Sequence, residues 1–373
     1  MTIKEASQME NIDKAFLDMG SMIAKKEIPA ASNPQPFPSK TNISLPNGFE
    51  YGGQSFSTQK YLDSSYTQGL LIIQNDTIVY EDYNRGQTAA TPHISWSVAK
   101  SFISALFGIA MEEGHIKSVE QKVEEYLPEL IGSGYEGVRI KDVLQMSAGV
   151  GFDENYGDPK SDIQRWFKAF ALGSSQDKFA ATLENEWEPG TYHHYVSINT
   201  HVLGMIIVKA TGKSLTDYLQ EKIWEPLGAE YPCYWLVDNK GMEMALGGLN
   251  ACLRDYARLG QLFLYEGNWK GQQIVPSAWV AASTTPDAPH LMPNSKDSAH
   301  PDIGYGYQWW IPDSEEGEFL AVGVFNQFIY INPTTRTVIA KTSANQNYYD
   351  TDNPYRGTLP HVELFRAIAH SLD

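Results

Sequence analysis

The chain is poor in cysteine: its 373 residues contain only Cys233 and Cys252. Two cysteines exclude a disulfide framework and fit a reducing compartment or plain core packing. No apolar run reaches the roughly 18 residues that a membrane span needs. Met1 to Lys26 lacks a basic stretch leading into an apolar one, so no secretory signal is expected and the cytoplasm is the default location. Basic residues are in the minority, 28 Lys and Arg against 45 Asp and Glu, for a net charge of −17. Such a surface disfavours partners that are nucleic acids or anionic membranes. No Gly-x-Ser-x-Gly elbow and no His-Glu-x-x-His pair occurs, which argues against an α/β-hydrolase and a zinc protease. The adjacent His193 and His194 lack metal-ligand spacing and read as structural, and Gly212-Lys213-Ser214 lacks the first glycine of a P-loop.

What is present is ordinary globular material, 42% hydrophobic and 12% aromatic, enough for one large domain or two interleaved ones. A helix is expected over 11–24, then an extended strap over 29–47 rich in Pro, Ser and Asn. Apolar runs at 69–74 and 77–83, separated by Asn75-Asp76, read as a β-hairpin. Residues 97–113 are apolar nearly all round, so that helix must be buried. Helical patterns follow at 141–146, 163–172, 199–209, 215–223 and 254–265. The period then changes to strands at 305–311, 318–322, 327–332 and 337–342, with a last helix over 360–371. Strands at both ends of a helical middle imply one sheet assembled from both termini. The expected division is an N-terminal helix and strap (1–60), an α/β sheet domain (61–115 and 255–373) and a mostly helical insert (116–254).

Ser-x-x-Lys places a hydroxyl and an amine on one helix face, three residues apart. A serine is a weak nucleophile until a neighbouring base takes its proton, and a lysine can serve when burial lowers its pKa. The motif occurs three times, at Ser57–Lys60, Ser97–Lys100 and Ser175–Lys178. Only Ser97–Lys100 opens an apolar helix; the other two lie in polar segments where an amine stays solvated. On these residues alone two readings stand. Ser97 is either a nucleophile activated by Lys100, or an N-cap beside a lysine that reaches out to water.

Ser97-Val98-Ala99-Lys100-Ser101-Phe102 resembles the nucleophile motif of the penicillin-recognising serine hydrolases, the family of class C β-lactamases, D-alanyl-D-alanine carboxypeptidases and related esterases. Further segments match in order: residues 123–130, 138–144 and 146–149, Pro189-Gly190 leading to Tyr195, Leu203-Gly204, Pro226-Leu227-Gly228, and Gly247-Gly248-Leu249 before Arg254-Asp255. The similarity runs over about residues 66 to 345 and is greatest to the 6-aminohexanoate-dimer hydrolases and similar esterases. It implies an α/β fold of the β-lactamase/transpeptidase type, an antiparallel sheet flanked by helices plus the helical insert, and a serine hydrolase with no metal or organic cofactor. The substrate would be a small-molecule ester or amide.

The same resemblance implies roles residue by residue. Tyr195 would be the catalytic tyrosine that relays protons with Lys100. Ser197 stands where β-lactamases carry Asn and would touch Lys100 or substrate. Ala321-Val322-Gly323 takes the place of Lys-Thr-Gly, with Gly323 letting substrate approach the strand and the backbone amides of Ser97 and Val324 forming the oxyanion hole. Lys341-Thr342-Ser343 resembles Lys-Thr-Gly only in composition, and Lys341 reads as an edge or surface lysine. Tyr156, Trp166, Trp309 and Trp310 are candidates for shaping the acyl pocket, and Asn250 for lining the cleft. Ala321 and Val322 cannot pair with a carboxylate, and a buried anion without a partner costs several kcal/mol. An ester or linear amide is therefore expected over a β-lactam or D-Ala-D-Ala peptide. The contrasting reading is a catalytically idle ligand-binding or scaffold protein.

Overall fold

The structure, a computed structural model, describes residues 5, 8–41 and 43–372. Strands β1 (Thr67–Gln74) and β2 (Thr77–Tyr83) form the expected hairpin. Asn75 and Asp76 both take positive φ, 47° and 65°, the backbone that a two-residue hairpin turn demands and that Asn and Asp tolerate best after glycine. From the C-terminal part come β3 (Gly304–Tyr305), β4 (Trp310–Ile311), β5 (Phe319–Gly323), β6 (Gln327–Asn332) and β7 (Thr337–Ser343). All seven join one antiparallel sheet in the order β3-β4-β5-β6-β7-β1-β2, so β7 pairs with β1 and the two ends of the chain share one sheet.

Alternation sorts this sheet into two buried faces. Leu71, Ile73, Ile329, Ile331, Val338 and Ala340 pack into the larger core with helix α3 (Leu253–Leu264). Leu70, Ile72, Phe328, Tyr330 and Ile339 pack on the other side against Val362, Phe365 and Ile368 of helix α4 (Thr358–His370). Burial on both faces explains why β1 reads as an unbroken apolar run. A second, four-stranded sheet joins residues 25–28, 233–236, 249–251 and 93–94 and leads the chain into helix α1 (Ala99–Glu112). This helix packs against α2 (Ser197–Thr211) and is buried over nearly its whole length, as its apolar surface requires.

Four expectations need correction. The helix expected over 11–24 is broken into short turns at Met9–Asn11, Ile12–Ala15 and Met19–Ser21, because Asp18, Gly20 and Ser21 favour turns over helix. The run 305–311 is a tight hairpin of β3 and β4 rather than one strand: Gln308 turns the chain with φ 65°, and the Gly306 backbone lies where a Cβ would come within 2.0 Å of the Ser283 carbonyl oxygen. Lys341 is neither at an edge nor on the surface. β7 lies between β6 and β1, and the side chain is 1% exposed, set over the Phe328 ring and against Ser343 Oγ. In addition, the helix expected over 215–223 ends at Leu219 and continues as a wider π turn through Trp224.

Candidate active site

The chain reaches Ser97 from Ile94 through a 3-10 turn, Trp96–Val98, that runs directly into α1. Trp96 takes a φ of 44°, a left-handed backbone that a bulky side chain rarely adopts and that costs of order 1–3 kcal/mol. The surrounding rings hold it there: Phe16 at 5.3 Å, Phe325 at 5.8 Å and Phe167 at 6.2 Å between centroids. Farther along, Ser101 Oγ donates to the Gln308 carbonyl at 2.8 Å and pins the first turn of α1 to the β3–β4 hairpin.

One helical turn after Ser97, the Lys100 side chain is buried, and its Nζ lies 2.9 Å from Ser97 Oγ. The same nitrogen is 2.6 Å from the Leu246 carbonyl oxygen and 3.3 Å from Ser197 Oγ. Burial pushes the Lys100 amine down to about 7, against an opposing pull from the Glu154 carboxylate. A neutral amine has two N–H donors and one lone pair. With Leu246 and Ser197 taking the donors, the lone pair is left for the Ser97 hydroxyl proton. The N-cap reading, with the amine in water, is thereby excluded. At the other two Ser-x-x-Lys copies, Lys60 and Lys178 are exposed, and Ser57 does cap the helix Thr58–Ser64.

Ser197 is the first residue of α2, and Tyr195 lies two residues before it. The Lys100 ammonium site lies 5.3 Å from the centre of the Tyr195 ring, and Tyr195 stacks on Trp310 at 5.3 Å and 22°. Burial drives the Tyr195 phenol well above its usual range, although hydrogen bonding from Ser97 works in the opposite direction. The phenol therefore keeps its proton at neutral pH.

On the opposite wall, β5 ends at Gly323 and the loop Val324-Phe325-Asn326 turns into β6, with Phe325 and Asn326 at φ 63° and 70°. The Gln327 amide nitrogen fixes that loop by donating to the carbonyls of Val324 (3.2 Å), Phe325 (3.1 Å) and Ser343 (2.7 Å). Gly323 lies against the nucleophile's own approach: a Cβ there would meet the Ser95 carbonyl oxygen at 2.7 Å. Its neighbours Val322 and Val324 line the cleft, and the missing side chain of Gly323 lets the strand end pass close to Ser95.

Ser97, Tyr195, Tyr156, Val322, Val324 and Trp310 share one cleft of about 650 Å³. Of the aromatic candidates, Tyr156 and Trp310 line it. Trp309, one residue from Trp310 and pointing the other way, is buried against Phe263 and Phe319. Trp166 does not line the cleft either; it is 1% exposed and stacks on Phe170 under the loop that carries Tyr156. Asn250 is a correction too: it is fully buried in the strand 249–251, and its amide nitrogen donates to the Gly248 carbonyl at 2.9 Å. Ser197 meets Lys100 but is likewise enclosed and off the cleft wall.

The sequence reading missed Glu154, which lines the cleft, accepts a hydrogen bond from the Ser197 backbone N–H and faces Lys100 electrostatically. It also missed His300 and Arg356 on the cleft wall. No local pattern marks them, because the chain brings each from a loop distant in sequence.

A serine and a buried, depressed-pKa lysine at a helix start, beside a tyrosine and facing a strand end across a cleft, define a serine hydrolase of the β-lactamase type. The chain belongs to the beta-lactamase family, whose sequence model matches residues 65–361. It is 30% identical over 294 residues to the 6-aminohexanoate-dimer hydrolase of Paenarthrobacter ureafaciens, covering 77% of this chain and 74% of that protein. A Bacillus anthracis structure provisionally described as a 6-aminohexanoate-dimer hydrolase superposes with a TM-score of 0.86 at 26% identity, over 100% of this chain and 98% of that one. A family VIII carboxylesterase shares the fold at a TM-score of 0.61 and 16% identity, over 84% of this chain and 97% of that one. The family's members are serine hydrolases of amides and esters, and this chain is a hydrolase of that kind. No helix among the described residues is long and apolar enough to cross a membrane.

Proposed function

We propose that the protein cleaves ester or linear amide bonds through an acyl-enzyme on Ser97. The observation that carries this reading is the 2.9 Å contact between Ser97 Oγ and a buried Lys100 whose amine is pushed down to about 7. Lys100 takes the Ser97 proton as the oxygen attacks the substrate carbonyl carbon. Negative charge on the carbonyl oxygen falls between the backbone amides of Ser97 and Val324. Tyr195 then passes its proton to the departing alkoxide or amine and regains one from Lys100. The bond from the carbonyl to the leaving group breaks, and the acyl group stays on Ser97. Water attacks that ester in the same site, its proton passes through Tyr195 and Lys100 to Ser97 Oγ as the bond from the carbonyl carbon to Oγ breaks, and the acyl group leaves as the carboxylic acid.

For substrate, Val322 on the cleft wall offers no anion partner where relatives of the penicillin type place a cation. That favours neutral acyl groups. A second reading comes from Arg356, the one Lys or Arg on the cleft wall among the described residues, half-buried with Nη1 on the Tyr348 carbonyl at 3.1 Å. Its remaining N–H groups suit a linear amide that ends in a carboxylate, as in the named substrate of the Paenarthrobacter relative. The free, buried Cys233 and Cys252 suit a reducing cytoplasm. A rate panel over short nitrophenyl esters, 6-aminohexanoate dimer and a chromogenic cephalosporin tests the proposal. Ester or linear-amide turnover should exceed cephalosporin turnover, and a faster cephalosporin would refute the substrate reading.

A further inference from the structure

Glu154 is a carboxylate in a place that the Ser-Lys-Tyr chemistry does not require. It sits in the loop 152–156, which is tied down on both sides. The Phe152 carbonyl lies 2.8 Å from His194 Nε2, and the Tyr156 carbonyl accepts from Gln164 Nε2 at 2.6 Å. The loop therefore delivers Glu154 to a fixed position beside the first residue of α2. There Oε1 accepts the Ser197 backbone N–H, while Oε2 is shut off from water and the Ser197 and Tyr156 hydroxyls lie close enough to the carboxylate to favour its charged form. Ser197 in turn places its hydroxyl 3.3 Å from Lys100 Nζ. A continuous path thus runs from Ser97 Oγ to Lys100 Nζ, to the Ser197 residue, to the Glu154 carboxylate.

Capping α2 alone does not account for this arrangement. A helix start needs an acceptor, and any Ser, Asn or Asp at the preceding position provides one. Here the acceptor comes from 43 residues away in sequence, as an ionisable group whose second oxygen is shut off from water inside the cleft wall. Burial pushes the Glu154 carboxyl up, while the Lys100 amine and hydrogen bonds from Ser197 and Tyr156 pull it back toward the charged form, so its ionisation is tied to that of Lys100.

We propose that Glu154 is a positioning residue of the hydrolysis: through Ser197 it holds the Lys100 side chain on Ser97, and its charge sets the pH at which Lys100 can accept the Ser97 proton. The groups facing Glu154 are Lys100 from α1, Tyr156 from its own loop, Tyr195 from the segment before α2, and Tyr348 from the loop after β7. Lys100 is the one cation among them, and all three tyrosines have their phenols pushed up by burial, so they stay neutral in the working range. A carboxylate favours the ammonium form of Lys100, opposing the downward push of burial. Removing that charge must move the Lys100 titration to lower pH.

The inference rests on Lys100 acting as the base toward Ser97, and the experiment separates the two. The pH dependence of kcat/KM for a neutral nitrophenyl ester is measured for the wild type, Glu154→Gln and Glu154→Asp. The Gln side chain still offers a carbonyl oxygen to the Ser197 N–H, so it keeps the cap and loses only the charge. The wild-type rate should rise through about pH 7 as Lys100 deprotonates. Glu154→Gln should shift that limb down by on the order of one pH unit, with kcat reduced and KM little changed, and Glu154→Asp should restore the wild-type limb. A limb that stays put in Glu154→Gln, whatever the fall in rate, overturns the proposal and leaves Glu154 a cap. If Glu154→Gln does not fold, Glu154→Ala is read by the same criterion. A wild type with no limb near pH 7 overturns instead the base role of Lys100.

Discussion

Gly323→Ala perturbs the geometry that the proposed oxyanion site depends on, without touching a catalytic side chain. Gly323 has an ordinary extended backbone, so the added methyl brings no conformational strain; only space decides the outcome. Its Cβ would lie 2.7 Å from the Ser95 carbonyl oxygen and 3.0 Å from Gln327 Cβ. An ordinary carbon–oxygen contact is about 3.3 Å or longer, more than half an ångström beyond this. Ser95 is two residues before Ser97, and Gly323 is one before Val324, so relieving the clash must push apart the two amides that would bind the oxyanion. Loss of one such donor lowers kcat by about 10²–10³, near 3 kcal/mol. A displacement of half an ångström is expected to lower it by about 10-fold to 100-fold, with KM changed much less. Steady-state hydrolysis of nitrophenyl acetate measures this, with thermal melting to confirm folding. A folded Gly323→Ala protein whose kcat stays within a factor of about two would refute the assigned pairing of Val324 with Ser97.

Tyr195→Phe removes the proton donor and keeps the ring that stacks on Trp310. Turnover of an amide should fall by about 10²–10⁴ with little change in KM; a purely KM effect would make Tyr195 a binding residue. Lys341→Met replaces a buried amine, bonded to Ser343 Oγ and with no carboxylate partner among the described residues, by an apolar chain of similar length. Burial depresses the folded-state pKa of Lys341, so the unfolded state holds a proton that the folded state resists, and wild-type stability falls as pH drops below about 10. The variant should melt a few degrees higher at pH 7, with the difference shrinking toward pH 10. A lower melting temperature at pH 7 would show that the amine stabilises the sheet.

How far the site was legible depended on how far its parts are separated in the chain. Ser97 and Lys100 are three residues apart on one helix, and the apolar surface of that helix singled them out from two exposed copies of the motif. Tyr195 and Val324 entered as candidates only through resemblance, since nothing near them in sequence states what they face. Trp309 and Trp310 show the limit most plainly. Adjacent residues at a strand start point to opposite sides, so one is core and the other lines the cleft, and composition cannot say which. Lys341 looked like a surface lysine because its strand's neighbours were unknown; pairing of β7 with both β6 and β1 buries it. Asn250 and Trp166 failed for a related reason, since proximity in sequence to site landmarks says nothing about the side on which a side chain packs. Glu154 lay in a polar loop, where a carboxylate attracts no notice until the fold brings it beside Ser197. The sheet itself was easier: apolar runs and turn residues marked β1, β2, β5, β6 and β7 nearly to the residue, while the short turns at 9–21 and the hairpin at 304–311 were decided by local glycine and tertiary contacts.

Covalent labelling with a fluorophosphonate, followed by peptide mass spectrometry, tests the central claim most directly. The wild type should acquire one phosphonyl group, on the peptide containing Ser97, with parallel loss of esterase activity. Ser97→Ala should neither label nor turn over substrate while melting like the wild type. An active protein that labels on another serine, or that stays active in the Ser97→Ala form, would contradict the account.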